Sequence, residues 1–135
     1  MSKRGGARRF ENVLCHADIH AANILVGDDG RLFLVDWDHP RLAPPERDLL
    51  FVVGSPIARR VTQREEARFF EGYGPHPVDA EALAFFRCER ALEDIGEFAA
   101  QVFFAPTLPE AARAEEAWML RGLFGPGDII ETAEG

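Results

Sequence analysis

The stretch CHADIHAANILVGDDGRLFLVDWD, residues 15–38, has two short apolar runs on either side of the turn sequence GDDG. Glycines supply positive φ angles and aspartates bond nearby backbone groups, so the pattern predicts a β-hairpin with strands at residues 23–26 and 31–37. The second strand is almost continuously apolar, which indicates burial on both of its faces.

Four helices are predicted after the hairpin, at residues 45–53, 62–73, 79–104 and 108–123. Thr62, with Glu65 three residues later, has the pattern of a capping box. In the longest helix, apolar side chains three and four residues apart predict one buried stripe: Phe85, Cys88, Leu92, Ile95, Ala99 and Val102. The fold class is therefore α+β, a small β-hairpin followed by about four helices.

The chain has 135 residues, of which 47% are hydrophobic, and this suits one folded domain. No apolar run reaches about 18 residues, so no membrane-spanning helix is expected. The basic start is followed by no apolar segment of a secretory signal, and two cysteines are too few for a disulfide framework. We therefore expect a cytoplasmic protein with a flexible basic lead-in at 1–9, a folded part at 10–125 and a frayed acidic tail at 126–135.

The net charge is −8, although Lys3, Arg4, Arg8 and Arg9 make the first ten residues basic. An acidic body disfavours nucleic acid as a partner, because binding depends on the neutralisation of phosphates by Lys and Arg. It would suit a cationic small molecule, but on charge alone the favoured interpretation is that the acidity only aids solubility. Neither a nucleic acid nor a membrane is expected as a partner.

The polar residues of the first stretch have a kinase-like spacing. His16-x-Asp18-x-x-x-x-Asn23 matches a kinase catalytic loop, in which the aspartate accepts the proton of the substrate hydroxyl. A tight hairpin returns Asp36, at the end of the second strand, to the neighbourhood of Asn23. Amide and carboxylate oxygens suit Mg²⁺, which bridges nucleotide phosphates in such enzymes.

These motifs resemble the aminoglycoside phosphotransferase family, which has a protein-kinase-like fold. In that family HxDxxxxN is the catalytic loop, and DW stands where protein kinases have DFG. The resemblance implies that Asp18 is the catalytic base, that His16 orients the loop, and that Asn23 and Asp36 bind Mg²⁺. ATP or GTP would be the phosphate donor.

The sequence after the hairpin extends the resemblance. PERDLL, residues 45–50, is similar to the family's next segment, in which an aspartate before leucine braces the catalytic loop; here that residue is Asp48. The stretch VDWDHPRLAPPERDLLFV is most similar to the spectinomycin phosphotransferase relatives within the family. The expected fold is part of a kinase-like C-terminal lobe, and the expected reaction is transfer of the γ-phosphate to a hydroxyl of an aminoglycoside-like antibiotic or related small alcohol.

Substrate contacts are less defined by the sequence. Glu89, Glu93 and Glu97 recur every four residues on the longest helix, which is typical of a solvated face. If that face borders the Asp18 pocket, the row would instead bind a cationic substrate. Asp38 either caps the turn that leaves the hairpin or contacts metal or substrate.

Two other functions are open at this point. In a metal-dependent hydrolase, His16, Asp18 and His20, with Asp36 and Asp38, would bind Zn²⁺ or Mn²⁺. That function leaves the asparagine and the PERDL sequence without a role. The second alternative is a catalytically inactive binding or assembly module.

The inactive alternative is suggested by what the sequence lacks. It contains neither GxGxxG nor GxxxxGK, and its one lysine, Lys3, precedes any strand pattern. We therefore expect the N-terminal nucleotide-binding lobe to be absent and the chain alone to show little turnover. An apolar hairpin without that lobe would be exposed, so a homodimer or a partner chain is expected to cover it.

Overall fold

The computed structural model describes residues 11–57 and 59–134, so the lead-in predicted at 1–9 lies outside the described residues. Within those ranges the chain forms four strands: β1 (Val13–Cys15), β2 (Ile24–Val26), β3 (Leu32–Leu34) and β4 (Arg41–Ala43). Five helices follow: α1 (Glu46–Leu49), α2 (Gln63–Tyr73), α3 (Ala80–Phe104), α4 (Glu110–Gly122) and α5 (Ile129–Glu134). The α+β class is confirmed.

The strands form two separate antiparallel pairs. In the hairpin, β2 pairs with β3 and places Ile24 opposite Leu34 and Val26 opposite Leu32. In the second pair, β1 lies beside β4, with Cys15 opposite Arg41. The sequence did not predict β4, because this short strand lies between prolines and has no alternating pattern of its own.

The turn between β2 and β3 has the chemistry that GDDG predicts. The Gly27 N–H donates to the Arg31 carbonyl at 2.8 Å, and Gly30 has a φ of +78°, which glycine adopts without strain. The Asp29 carboxylate accepts a bond from the Arg31 N–H at 3.1 Å. Local side-chain bonds therefore fix the hairpin register.

The predicted burial of the hairpin on both faces is wrong. Val26 is 70% exposed and Leu32 is 68% exposed, and Leu25, Phe33 and Leu34 are exposed as well. The reason is that β2 and β3 form a sheet of their own, whereas the buried clusters of the described chain lie under β1, β4 and the helices. These five side chains, called here the hairpin surface, form an exposed apolar surface.

The core consists of two clusters along α3. The first brings the segment around α1 against the start of α3, with Leu50, Phe51 and Leu83 among its buried members. The second joins α3 to α4 and α5 through Ala91, Leu123 and Ile129. Ile129 is 3% exposed, so the prediction of a frayed tail is wrong for α5, which packs on α3.

The buried face of α3 agrees only in part with the predicted apolar stripe. Phe85 is 61% exposed and Leu92 is 69% exposed, so both lie on the outer side of the helix. The buried positions include a charged residue: Ala82, Leu83, Phe86, Ala91 and Asp94. The prediction is therefore wrong for the first half of the stripe, whereas Ile95, from its second half, packs against the second cluster. Apolar periodicity missed the inner face where that face carries charged groups.

The capping box of α2 is confirmed. The Thr62 hydroxyl accepts a bond from the Glu65 N–H, and the Glu65 carboxylate accepts one from the Thr62 N–H at 2.9 Å. In the described part of the chain, the helices are all too short or too polar to cross a membrane.

The two cysteines provide a test of this fold. Cys15 is fully buried, and desolvation raises the pKa of its thiol to about 11, whereas Cys88 is exposed on α3. Only thiolates alkylate rapidly, and a pKa about three units above pH 8 leaves roughly one thiolate in a thousand. At pH 8 we therefore expect iodoacetamide to add one adduct to the native chain and two to the unfolded chain, counted by mass spectrometry.

A Cys88→Ser variant is the control, and it should take no adduct while folded. Two adducts on the native chain would show that the thiol of Cys15 is not enclosed in the first core cluster.

Candidate active site

The loop after β1 is held in place by one carboxylate. Asp48, in α1, accepts the backbone N–H of His16 at 2.8 Å through Oδ2 and the N–H of Ala17 at 2.7 Å through Oδ1. Bonds from N–H groups to an ionised acceptor are short and about twice as strong as neutral ones. Ala17 is bent into the left-handed region, with φ at 71°, and it is 3% exposed. The two bonds stabilise this strained bend.

His16 links the loop to the hairpin. It is 2% exposed, and its Nε2 lies 2.9 Å from the Val35 carbonyl while Nδ1 accepts the Asp18 N–H at 3.2 Å. This pattern matches a neutral ring that carries its proton on Nε2. The Trp37 ring packs edge-on against it, with centroids 4.5 Å apart. Both ring nitrogens of His16 therefore form hydrogen bonds with backbone groups.

Asp18 lies on the loop with both carboxylate oxygens engaged. Oδ1 accepts a bond from Arg90 at 2.8 Å, and Oδ2 accepts one from the Asn23 amide at 3.2 Å. Asn23 also donates to the Asp18 backbone carbonyl at 2.8 Å. His20 caps the short 3-10 turn at Ala21–Asn23, and its Nε2 lies 3.5 Å from Asp18 Oδ2.

Asp36 reaches the same region from the end of the hairpin. The Val35 N–H donates to the Asn23 carbonyl at 3.0 Å, which ties the residue before Asp36 to the loop. Asp36 is also left-handed, with φ at 64°. A hydrogen bond with Asp38 and the charge of that neighbour raise the pKa of Asp36.

Asp18 and Asp36 border a cavity of about 430 Å³, whereas His16, His20 and Asn23 are not among its lining residues. Of the predicted site residues, Asp18, Asp36 and Asp38 line it, and so do Glu93 and Glu97 from α3. Glu89 is not among the lining residues. Two of the three glutamates predicted to form a row on α3, Glu93 and Glu97, therefore border the cavity next to Asp18.

Arginines missed by the sequence analysis occupy the same cavity. Arg41 pairs with Glu89 and Glu93 at 3.2 Å each. Arg47, only 1% exposed, lies 3.1 Å from Glu93 and 3.2 Å from Glu89. Burial lowers the pKa of Arg47. Part of the negative charge of the glutamate row is therefore neutralised.

Arg90 and Asp94 were also missed, although they lie one helical turn apart on α3. Besides Asp18, Arg90 pairs with Asp94 at 2.9 Å, and burial raises the pKa of Asp94. The available signal was their i, i+4 spacing in register with the buried Phe86. A charged pair on the inner face of a helix indicates that this face borders a polar site.

The residues proposed for Mg²⁺ fit that ion better than they fit zinc. Asn23 uses its amide nitrogen toward Asp18, which leaves Oδ1 as a free oxygen ligand, and the crowded carboxylates of Asp36 and Asp38 would be relieved by a divalent cation. In residues 11–57 and 59–134, no group of three His, Cys, Asp or Glu side chains could hold a metal. His16, Asp18 and His20 therefore do not form the cluster that a zinc hydrolase requires.

The brace at Asp48 can be tested by stability. Asp48→Asn keeps the shape but replaces one acceptor oxygen by a donor, so one N–H of the loop loses its partner. We expect a loss of about 2 kcal/mol, since a net hydrogen bond to a charged group contributes roughly 1.5–3 kcal/mol. The measurement is the midpoint of urea unfolding at an unchanged slope.

Asp28→Asn is the matched control, because Asp28 is an exposed residue of the hairpin turn. It should change the free energy of unfolding by no more than about 0.5 kcal/mol. If both substitutions lowered the free energy of unfolding equally, the role of Asp48 in holding the loop would be contradicted.

Comparison with known proteins agrees with this geometry. Residues 4–86 match the sequence profile of the phosphotransferase enzyme family (APH), and this range contains the loop, the hairpin and PERDLL. The chain is also similar to a crystal structure of spectinomycin phosphotransferase APH(9)-Ia in complex with ADP and spectinomycin. That similarity has 36% identity and a TM-score of 0.78, over 93% of this chain and 38% of the other.

A second structure, the AMP-bound complex of spectinomycin phosphotransferase APH(9)-Ia, has 37% identity and a TM-score of 0.76, over 92% of this chain and 37% of the other. This chain therefore spans less than two-fifths of the length of these solved relatives. The predicted family is confirmed by a profile match that extends over more than half of the sequence. The chain belongs to the phosphotransferase enzyme family.

Proposed function

We propose that this chain carries the catalytic loop of a kinase that transfers the γ-phosphate of ATP to a hydroxyl of a cationic, aminoglycoside-like small molecule. The observation that carries the proposal is the placement of the Asp18 carboxylate on a braced loop beside Asn23 and Asp36. In such transfers the transition state is loose, so positioning and electrostatic stabilisation supply most of the catalysis.

Each residue has a distinct role in this proposal. Asp18 accepts the proton of the attacking hydroxyl and holds that hydroxyl in line with the phosphate. Asn23 and Asp36 would hold Mg²⁺, which when bound neutralises charge on the phosphates. Asp48 and His16 keep the loop and the hairpin in register. Adenine nucleotide is favoured over GTP because the two solved relatives bind ADP and AMP.

The cavity supports a cationic acceptor. Asp38 and Glu97 line it, and neither forms an ion pair with another described residue; Asp38 is hydrogen-bonded to Asp36, so Glu97 is the carboxylate left for an ammonium group. Glu93 lies beside them but shares its charge with two arginines. The spectinomycin found in one solved relative makes an amine-bearing antibiotic the first substrate to test.

Turnover also requires groups that hold the nucleotide from the other side. No Gly-rich phosphate loop is present in the sequence, and its one lysine is Lys3. We therefore expect the chain alone to transfer little or no phosphate. The inactive-module alternative predicts that the chain stays inactive in every context, which the following experiment decides.

The test joins this chain to the rest of the solved relative. In the chimera, residues 11–134 replace the matching part of spectinomycin phosphotransferase, and transfer of labelled phosphate from ATP to spectinomycin is measured. We expect activity in the chimera but not in the chain alone. Asp18→Ala should lower kcat by roughly 10²–10⁴-fold, the range of general-base catalysis. Asp36→Ala should be at least as damaging.

Asp28→Ala in the hairpin turn is the control, and it should leave kcat unchanged. A chimera that folds and binds ATP but transfers no phosphate would contradict the proposal. If Asp18→Ala retained full activity, the carboxylate would not be the base. Full activity of the chain alone would show that no further nucleotide-binding groups are needed.

The hairpin surface leads to a separate proposal about association. We propose that a second copy or another chain covers these apolar side chains, because exposed apolar surfaces of this kind mark interaction sites. A specific contact should bury at least about 1,000 Å² in total. We expect light scattering to show concentration-dependent association that Val26→Lys with Leu32→Lys, a facing pair, abolishes.

Leu42→Lys is the matched control, since Leu42 is 72% exposed but lies on β4 outside the hairpin surface. It should leave the association unchanged. A monomer at high concentration that also binds no apolar dye would contradict this proposal.

A further inference from the structure

Arg90 is held on three sides in the described structure. Its Nη1 lies 2.8 Å from Asp18 Oδ1, its Nε lies 2.9 Å from Asp94 Oδ1, and its guanidinium lies 5.6 Å from the centre of the Phe51 ring. Its side chain is 17% exposed. A guanidinium fixed by two carboxylates and an aromatic face has little rotational freedom.

The Asp18 side chain, in contrast, is 31% exposed and lies on a loop. Without lateral contacts, such a carboxylate would sample several rotamers. Arg90 fixes Oδ1, and the Asn23 amide fixes Oδ2. An ionised carboxylate has about four acceptor sites, so these two bonds orient the group without filling it. Acceptor capacity remains for a substrate hydroxyl.

The second carboxylate, that of Asp94, sets the orientation of the Arg90 guanidinium. Asp94 is 7% exposed and lies one turn beyond Arg90 on the rigid α3 helix. Its Oδ1 lies 2.9 Å from Arg90 Nε as an ion pair without hydrogen-bond geometry, while Nη1 of the same guanidinium donates to Asp18. Asp94 holds Arg90, and Arg90 holds the Asp18 carboxylate. The position of that carboxylate therefore depends on the position of α3.

We propose that Arg90 is a positioning residue that fixes the Asp18 carboxylate for the acceptor hydroxyl, and that Asp94 fixes Arg90 in turn. This inference rests on the proposed function, since it concerns the same carboxylate. In a loose phosphoryl transfer, a fixed direction of the carboxylate contributes more than high basicity. A neighbouring cation is therefore compatible with the role of Asp18.

The first measurement needs no activity. Crystal structures of the 135-residue chain and of its Arg90→Gln variant are compared at Asp18. Glutamine is uncharged and too short to bridge the carboxylates of Asp18 and Asp94. We therefore expect the Asp18 side chain to leave its single position. Arg87→Gln is the matched control, because Arg87 lies on α3 but donates to the Val53 carbonyl and does not contact Asp18. It should leave Asp18 in place.

The second measurement uses the chimera described above. Arg90→Gln should lower kcat by roughly 10–100-fold, the loss expected from a misplacement of about 1 Å, with the KM for ATP little changed. Arg90→Lys should recover part of the loss, because an ammonium reaches one carboxylate but cannot bridge two. Asp94→Asn should give an intermediate loss. A purely structural salt bridge would lower the amount of folded protein without this separation of kcat from KM.

The outcomes separate the two proposals. An unmoved Asp18 in Arg90→Gln overturns the positioning role, whatever the activity. A displaced Asp18 with unchanged kcat overturns it as well. A parent chimera without phosphate transfer counts against the proposed function, and the crystal comparison then decides the role of Arg90 alone. If Arg90→Gln does not fold, Arg90→Lys and Asp94→Asn take its place in both measurements, with the same criteria.

Discussion

Two backbone N–H groups that converge on the Asp48 carboxylate are the constraint on which the rest of the site depends. A left-handed bend at Ala17 is unfavourable for a residue with a Cβ atom, at about 1–2 kcal/mol, and these bonds offset that cost. The bend turns the chain so that His16 points to the hairpin while Asp18 points to the cavity. The two half-buried bonds of Asp48 thus orient both residues.

The same contact joins the site to the core. Asp48 is followed directly by Leu49 and Leu50, both 1% exposed, and Leu50 packs in the cluster that contains Cys15 at the end of β1. Hydrophobic burial therefore fixes the distance between the loop and α1. Geometry at the candidate active site is as rigid as the packing beneath it.

Local patterns in the sequence were sufficient for the loop, the hairpin and the α2 capping box, because each depends on residues close together along the chain. The fold class and the family follow from them. The inner face of α3 was not predictable in this way. Arg90 and Asp94 lie on the inner face because they pair with Asp18 and with each other; their i, i+4 spacing is visible in the sequence, but the partner 72 residues away that turns them inward leaves no local pattern. The exposure of the hairpin surface was missed for the opposite reason, since apolar sequence indicates burial only where another layer is present.

Charge in the cavity is more balanced than the net charge of −8 suggests. Arg41 and Arg47 neutralise much of Glu89 and Glu93, and Arg90 lies between Asp18 and Asp94. Buried carboxylates next to arginines cost less to desolvate than isolated ones. Among the described residues, the cavity carboxylates without an arginine partner are Asp36, Asp38 and Glu97, so the remaining negative charge lies on these three side chains.

The left-handed backbone at Asp36 limits which sequences this site can accept. Among residues with a side chain, aspartate and asparagine adopt that conformation most readily, and of these only aspartate is a carboxylate. Glutamate would conserve the charge but strain the backbone, and glycine would relieve the strain but lose the charge. The backbone conformation and the proposed metal-binding role each favour aspartate at this position, so a substitution that satisfies one requirement would fail the other.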